Sequence, residues 1–171
     1  MDEFAFLYLA AMVALVALVL WGMKRAQKAV LTTLAQTLYG EQNPGKYLAL
    51  LKSRRLGFVL RKSTLALLRL EGHIQAGDAA GVAADGAALD AMRLRPEERL
   101  EYEQKSMSFL LARGDYEGAR ACLAKLEKLL EREPDEKLRE ILADARLLIG
   151  IYADRDVTLI PVLEEQAAVQ K

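Results

Sequence analysis

The pattern of hydrophobic and polar residues predicts helices along the whole chain. After residue 24, apolar residues recur at intervals of three and four, and no stretch sustains the period-two alternation of β-strands. Glycine and proline positions separate the apolar segments from one another. The sequence therefore predicts an all-α fold with helices at about 24–39, 46–55, 58–76, 79–92, 96–113, 116–132, after Pro134 as far as Tyr152, and 158–169.

The first apolar segment differs from the others because it has no polar face. Residues 4–23 contain no charged residue, no proline, and no hydroxyl or amide side chain apart from one tyrosine. A helix of this length, at about 1.5 Å per residue, spans roughly 30 Å, which is the hydrocarbon thickness of a bilayer. The pattern predicts a transmembrane anchor over residues 1–23 and a separate helical domain over residues 24–171.

The residues on either side of this segment favour an uncleaved anchor of defined orientation. The chain begins with acidic residues at positions 2 and 3, whereas a signal peptide begins with positive charge and ends at a small-residue cleavage site. Lys24, Arg25 and Lys28 follow the segment, and no Lys or Arg precedes it. The positive-inside rule then predicts a single-pass protein of the cell membrane with its N-terminus outside and its C-terminal domain in the cytoplasm.

The net charge of zero conceals an uneven distribution. Residues 24–95 carry 12 Lys and Arg against 5 Asp and Glu, and residues 96–171 carry 12 against 17. A basic region next to the anchor is attracted to anionic lipids, so Lys24, Arg25, Lys28, Arg54 and Arg55 are predicted to face the membrane surface. The alternative is that they are solvated helix faces. The acidic second half and the anchor argue against nucleic acid as a partner.

A regular spacing of glycines indicates a repeat. Gly40, Gly77 and Gly114 stand 37 residues apart, and Pro96 and Pro134, which are placed to open helices, stand 38 apart. A helix pair of about 37 residues cannot bury its apolar face alone, whereas stacked pairs form a continuous core. The spacing predicts an antiparallel helix-pair solenoid of about three to four repeats, with a generic helical bundle as the alternative.

The segment from Gly114 to Ala119, with the sequence GDYEGA, resembles the inter-helix turn of a tetratricopeptide repeat. Leu123 and Leu126 match the next apolar positions of that family, and the segment from Gly77 to Val82 is a weaker copy. The period is longer than the family's 34 residues. The resemblance implies a tetratricopeptide-like solenoid that binds a peptide or helix in a concave groove. It implies that the groove is lined by the first helix of each pair, at Thr64, Leu67, Glu71, Ile74, Glu101, Gln104, Ser108 and Leu111.

The sequence offers no arrangement of catalytic residues. His73 is the only histidine and Cys122 the only cysteine, so neither a histidine-based triad nor a His-Cys metal cluster can be built. His73 is expected to be a packed or half-exposed structural residue, and Cys122 a small buried or boundary residue. No glycine-rich phosphate loop occurs. We therefore expect a protein that is not an enzyme and that needs no metal or cofactor.

These observations favour a membrane-anchored adaptor or scaffold that binds a partner protein at the cytoplasmic membrane face. One alternative is a structural or assembly subunit of an integral membrane complex, in which the same residues form a permanent interface. Another is an extracytoplasmic chaperone with inverted topology, which the acidic N-terminus disfavours. The identity of the partner does not follow from the sequence.

Overall fold

The computed structural model describes residues 2–131 and 136–163, and the side chains of residues 15–131, 136 and 138–163. The predicted all-α fold is confirmed there: the described residues form helices joined by turns and include no strand. The α-helices are α1 (Asp2–Ala35), α2 (Pro44–Leu51), α3 (Leu56–Val59), α4 (Lys62–Gln75), α5 (Ala79–Asp90), α6 (Pro96–Ala112), α7 (Tyr116–Leu130) and α8 (Glu136–Tyr152). A π-helix (Gln36–Gly40) follows α1, and a 3₁₀ turn (Val157–Leu159) follows α8.

Helix α1 runs without a break through residue 23, the predicted end of the anchor. The side chains of residues 15–23 are all exposed, and those of residues 4–14, which belong to the predicted anchor, lie outside the described residues. Within the part of the chain that the structure describes, no helix has the combination of length and apolar composition expected of a membrane span.

The chain divides into two compact units, residues 1–85 and residues 86–171, and the division falls within α5. The first unit has a core between the end of α1, the π-helix and helices α2 to α4. Helices α2 and α4 approach closely at Gly72, where an added Cβ would lie 2.7 Å from Leu48 and 2.8 Å from Tyr47. A larger residue at position 72 would therefore separate the two helices. One cluster of this core consists of the buried residues Leu34, Leu38, Tyr47, Leu51 and Leu56.

The first unit also departs from two predicted helices. The helix predicted at 46–55 ends at Leu51. The helix predicted at 58–76 is two helices, α3 and α4, because Leu60 adopts an extended conformation with φ −114° and ψ 149° between them. The prediction of one helix was wrong because the sequence gives no sign of the break: Leu60 is apolar, and neither glycine nor proline lies at positions 60 and 61. Burial of the Leu60 side chain stabilises the extended conformation.

The second unit is built around α6, α7 and α8, whose apolar faces form one core. Helix α6 begins at Pro96, and the Glu98 carboxylate accepts a hydrogen bond of 3.0 Å from the backbone N–H of Arg95. Ala119 is fully buried against its neighbours, as expected where two helices approach closely. The buried core consists of Met107, Ala119, Cys122, Leu123, Leu126, Leu138, Leu142, Ala145 and Ile149.

Two of the three evenly spaced glycines form the predicted turns. Gly77 and Gly114 have φ of +67° and +74°, in the left-handed region that glycine adopts most readily. Gly40 instead ends the π-helix, and the left-handed residue nearby is Gln42, with φ +50°. Gly40 therefore does not form the same kind of turn as Gly77 and Gly114, because the chain leaves α1 through the wider turn of the π-helix.

The chain after α8 was predicted to form a helix at 158–169. The described part of that range has the 3₁₀ turn followed by helical residues 160–163. Residues 164–171 lie outside the described residues, as do residues 132–135, which include the predicted helix start at Pro134.

Candidate functional site

A groove on the second unit brings together the end of α6, the start of α7 and the end of α8. It has a volume of about 470 Å³. Ser108 and Leu111 come from one turn of α6, Tyr116 opens α7, and Leu148 and Tyr152 lie four residues apart on one face of α8. Ala112 completes the lining and is exposed, so its small side chain leaves the groove open at the α6 end.

Two tyrosines form one wall of this groove. The rings of Tyr116 and Tyr152 stack with their centroids 5.9 Å apart and an angle of 6° between their planes. Tyr116 is half-buried, whereas Tyr152 is 57% exposed. Offset stacking stabilises such a pair of rings, which gives this wall of the groove a large aromatic surface.

The turn beside the tyrosines is fixed by polar contacts. The Asp115 carboxylate accepts a hydrogen bond of 3.0 Å from the Gly118 N–H and caps α7. The Arg120 guanidinium donates to the Asp154 carboxylate over 2.6 Å, which joins α7 to the segment after α8. This ion pair raises the pKa of Arg120 above its ordinary value. The groove therefore has a mainly apolar lining, and these polar contacts fix the turn and the segment next to its two tyrosines.

The structure places the eight predicted groove residues in two sets. In the first unit, Leu67 and Glu71 are buried in the packing of α4, and Thr64 and Ile74 are half-buried. In the second unit, Ser108 and Leu111 line the groove together. Gln104 is half-buried, and the exposed Glu101 pairs with Lys105 over 2.9 Å. A binding role for all eight residues stays a prediction of the sequence.

Sequence reasoning did not assign Tyr116, Leu148 or Tyr152 to the site. The sequence places Tyr116 at the start of one predicted helix and Tyr152 at the end of another. Their presence at the two helix ends was visible in the sequence, but their pairing depends on how α7 and α8 pack. Helical periodicity contains no information on that packing.

A cluster of ionisable side chains occupies the corresponding turn of the first unit. His73 Nδ1 lies 2.8 Å from Asp78 Oδ2, and His73 Nε2 lies 3.6 Å from Asp85 Oδ2. Arg69 Nε donates to Asp85 Oδ1 over 3.1 Å. The Gly81 N–H, which donates to Asp78, and His73 hold the pKa of Asp78 below its ordinary value. His73 is half-buried, in agreement with its predicted structural role.

Cys122 is a buried thiol in the core of the second unit. Burial and the nearby Glu103 carboxylate raise the pKa of Cys122 to about 11, so the unreactive thiol form predominates at neutral pH. Glu103 is itself only 1% exposed, and its carboxylate receives Lys125 over 3.3 Å and Arg99 over 3.4 Å. Arg99 and Lys125 thus serve as partners of the buried Glu103 carboxylate, which is the usual arrangement for a buried acidic side chain in a core.

Neither turn forms a metal centre: among the described residues, no group of three or more His, Cys, Asp and Glu side chains could hold a metal ion. A second depression, on the first unit, is lined by Thr32, Thr33, Gln36, Thr37, Glu41, Lys46 and Leu50. The hydroxyls of Thr32, Thr33 and Thr37 donate to carbonyls one turn earlier, and Lys46 pairs with Glu41 over 2.8 Å. Its polar groups are thus used within the unit itself.

The basic residues predicted to face the membrane are all exposed. Lys24, Arg25 and Lys28 lie on α1, and Arg54 and Arg55 lie between α2 and α3. The Arg25 guanidinium lies over the Trp21 ring, 5.4 Å from its centroid.

The chain was compared with protein-family models, with curated proteins and with solved structures, and none of the three comparisons found a match.

Proposed function

We propose that the chain is a membrane-anchored, tetratricopeptide-like adaptor that binds a segment of a partner protein at the cytoplasmic face of the cell membrane. The observation that carries this proposal is the tyrosine-walled groove of the second unit. Two residues selected from the repeat resemblance alone, Ser108 and Leu111, line that groove together. In this proposal the groove binds, and no residue of it performs chemistry.

The lining of the groove suits a helix or extended segment that presents apolar side chains. Leu111 and Leu148 offer apolar contact area, and the tyrosine pair adds rigid surface with hydroxyl groups for hydrogen bonding. Tyrosine is enriched at protein interfaces because it contributes contact area at low cost in side-chain entropy. The volume of about 470 Å³ accommodates a few side chains, so the bound segment would insert one or two anchor residues.

The support for an anchor is the composition of α1 together with the exposure of its side chains. Residues 15–23 are apolar and exposed around the whole helix, which is costly in water and favourable in hydrocarbon. The contact between Arg25 and Trp21 combines the two residue types that prefer the membrane interface. The basic flank on the C-terminal side supports a cytoplasmic location for both compact units.

The test is site-specific photo-crosslinking in intact membranes. A photoreactive phenylalanine analogue replaces Tyr152 in the full chain, and a matched variant carries it at Ala143. Ala143 is exposed and lies nine residues away on α8, which is about 180° around the helix. We expect a discrete protein adduct from position 152 and none from position 143. Equal labelling from both positions would contradict binding in the groove.

Two further measurements test binding in the groove and separate a releasable adaptor from a permanent subunit. Ala112→Leu adds three carbons at an exposed position of the groove lining, so it should reduce the adduct at position 152 without unfolding the chain. A partner that is released by salt or by a competing peptide in mild detergent supports the adaptor. A stoichiometric complex that resists both supports the alternative, a structural subunit of a membrane complex.

A further inference from the structure

Phe58 is the most exposed large hydrophobic side chain among the described residues, at 85%. It lies on α3, whose neighbouring residues Leu56 and Leu60 are buried in the first unit. Residues four apart lie on one face of a helical turn, and the residue between them lies on the opposite face. The Leu60 N–H donates to the Leu56 carbonyl over 2.7 Å, which closes one α-helical turn around Phe58. Packing of the two leucines thus holds Phe58 outward.

Helix α3 is attached to α1 at a defined level. The Gln27 side-chain Nε2 donates a hydrogen bond of 2.7 Å to the Val59 carbonyl. Gln27 follows Lys24 by three residues, which is about 4.5 Å along the helix axis. Helix α3 is therefore held against α1 at Gln27, which lies six residues, or about 9 Å along the helix axis, from Trp21.

The chain around Phe58 is strongly basic and exposed. Between residues 24 and 70 the only acidic residue is Glu41, and it pairs with Lys46 over 2.8 Å. We call residues 52–62 the α3 loop. Its exposed basic residues are Lys52, Arg54, Arg55, Arg61 and Lys62.

We propose that the α3 loop is a second membrane contact, in which Phe58 enters the interfacial region of the bilayer and the basic residues bind anionic lipid headgroups. This inference rests on the proposed anchor, because the anchor places the start of the cytoplasmic part at the membrane surface. An aromatic ring beside lysines and arginines is the composition that favours the interface, where the ring leaves water and the charges remain hydrated. The loop would thereby hold the first unit in one orientation on the leaflet.

The occupant inferred is an anionic bilayer surface and not a protein, for two reasons. Phe58 lies on a helix that is hydrogen-bonded to α1 at Gln27, four residues after the apolar segment ends at Met23, and both lie in the same compact unit. The charge of the loop has one sign, as expected for a diffuse anionic surface, whereas protein interfaces usually mix the two signs and deplete lysine.

The experiment uses the full chain reconstituted in phosphatidylcholine vesicles with and without phosphatidylserine, with bromine atoms on the lipid acyl chains as quenchers. Trp21 is the only tryptophan, so Trp21→Phe gives a silent background. Phe58→Trp in this background reports contact of the α3 loop, and Val157→Trp, at an exposed apolar position of the second unit, is the matched control.

We expect quenching of tryptophan at position 58 in vesicles with phosphatidylserine, weaker quenching without it or at high salt, and none at position 157. Arg54→Gln and Arg55→Gln should each shift the contact equilibrium about fivefold away from the membrane. Arg93→Gln and Arg139→Gln, exposed basic positions of the second unit, should leave it unchanged. Absence of quenching at position 58, or quenching independent of anionic lipid, would overturn the inference.

Alkaline carbonate extraction of the same vesicles distinguishes failure of the anchor from failure of this contact. A chain that stays in the membrane while position 58 is not quenched retains the anchor and loses only the α3 loop contact. A chain that is released by carbonate loses the anchor, and the inference falls with it. Purified components leave lipid as the only partner in the sample, so protein binding cannot produce the signal.

Discussion

The turn that ends α4 and the turn that ends α6 stand 37 residues apart and make the same hydrogen bonds. Gly77 and Gly114 each donate over 3.0 Å to the carbonyl three residues earlier, and Asp78 and Asp115 each donate over 2.9 Å to the carbonyl five residues earlier. Each aspartate then accepts a hydrogen bond of 3.0 Å from the N–H three residues later. Both turns have the Schellman pattern followed directly by an aspartate cap.

The surroundings of the two turns are nevertheless different. His73 in the first corresponds to Leu110 in the second, and Asp85 corresponds to Cys122, at the same spacing of 37. The first turn therefore adjoins an ionisable cluster, and the second adjoins an apolar core and the groove. Glycine and aspartate specify the backbone, and the remaining positions are free to acquire different chemistry.

The largest difference between the turns should appear at Ala119 and its counterpart Val82. Ala119 is fully buried in the core, whereas Val82 is half-buried. Ala119→Leu should lower the free energy of unfolding by about 1–3 kcal/mol, because a close-packed site has no space for the added carbons. Val82→Leu should cost less than about 1 kcal/mol. Equilibrium denaturation of the full chain in detergent measures both.

Ala112→Leu provides the control for this pair, since it makes the same substitution at an exposed position of the groove lining. It should leave the free energy of unfolding nearly unchanged. If Ala112→Leu proved more damaging than Ala119→Leu, the correspondence between the sequence repeat and the packing of α6 on α7 would be wrong.

A smaller and equal effect is expected from the glycines of the two turns. Gly77→Ala and Gly114→Ala each place a Cβ on a left-handed residue, which costs about 1–2 kcal/mol. The space around the two positions does not distinguish them, because an added Cβ meets nothing within 4 Å at Gly77 and only atoms of Tyr116 at 3.9 Å at Gly114. The same denaturation experiment should give equal losses for the two variants.

Gly57→Ala is the matched control. Gly57 also has free space around it, but its backbone is not in the left-handed region. It should be neutral or slightly stabilising because alanine favours helix. Unequal losses at Gly77 and Gly114 would show that the turns differ in more than their side-chain surroundings.

The sequence predicted the parts of this fold that depend on local signals. The Gly-Asp turns and the starts of α6 and α7 follow from residues whose backbone preferences are strong and local. The break at Leu60 could not be predicted, because an apolar residue within an apolar pattern gives no sign that it will become extended. The repeat pattern included Gly40 with the two turn glycines, because equal spacing alone does not distinguish a left-handed turn from the end of a π-helix.

Of the six residues that line the candidate site, the sequence pointed to two. Ser108 and Leu111 are positions that the resemblance to a tetratricopeptide repeat implies, once the Gly-Asp turn sets the register of α6. Tyr152 reaches the groove from α8, and the predicted start of that helix depended on Pro134, outside the described residues. The stacking of Tyr152 on Tyr116 is a contact between helices, and such contacts depend on packing that the periodicity of one helix does not contain.

The smallest expected difference between the two turns is a dependence on acid. Asp78 lies in contact with His73, and the pKa of Asp78 is lowered in the folded chain, chiefly by the Gly81 N–H and by His73. A carboxyl group whose folded pKa lies below its unfolded value of 3.8 stabilises the fold while it is ionised. That stabilisation is fully present above pH 3.8 and is lost as the pH falls through the lower, folded pKa.

Asp78→Asn retains a capping side chain but removes this titration. The free energy of unfolding of the full chain, measured from neutral pH to below pH 3.8, should therefore fall less steeply in Asp78→Asn than in the parent chain. An acid response of Asp78→Asn identical to that of the parent would show that the ionised Asp78 carboxylate, with its contacts to the Gly81 N–H and His73, contributes nothing to stability.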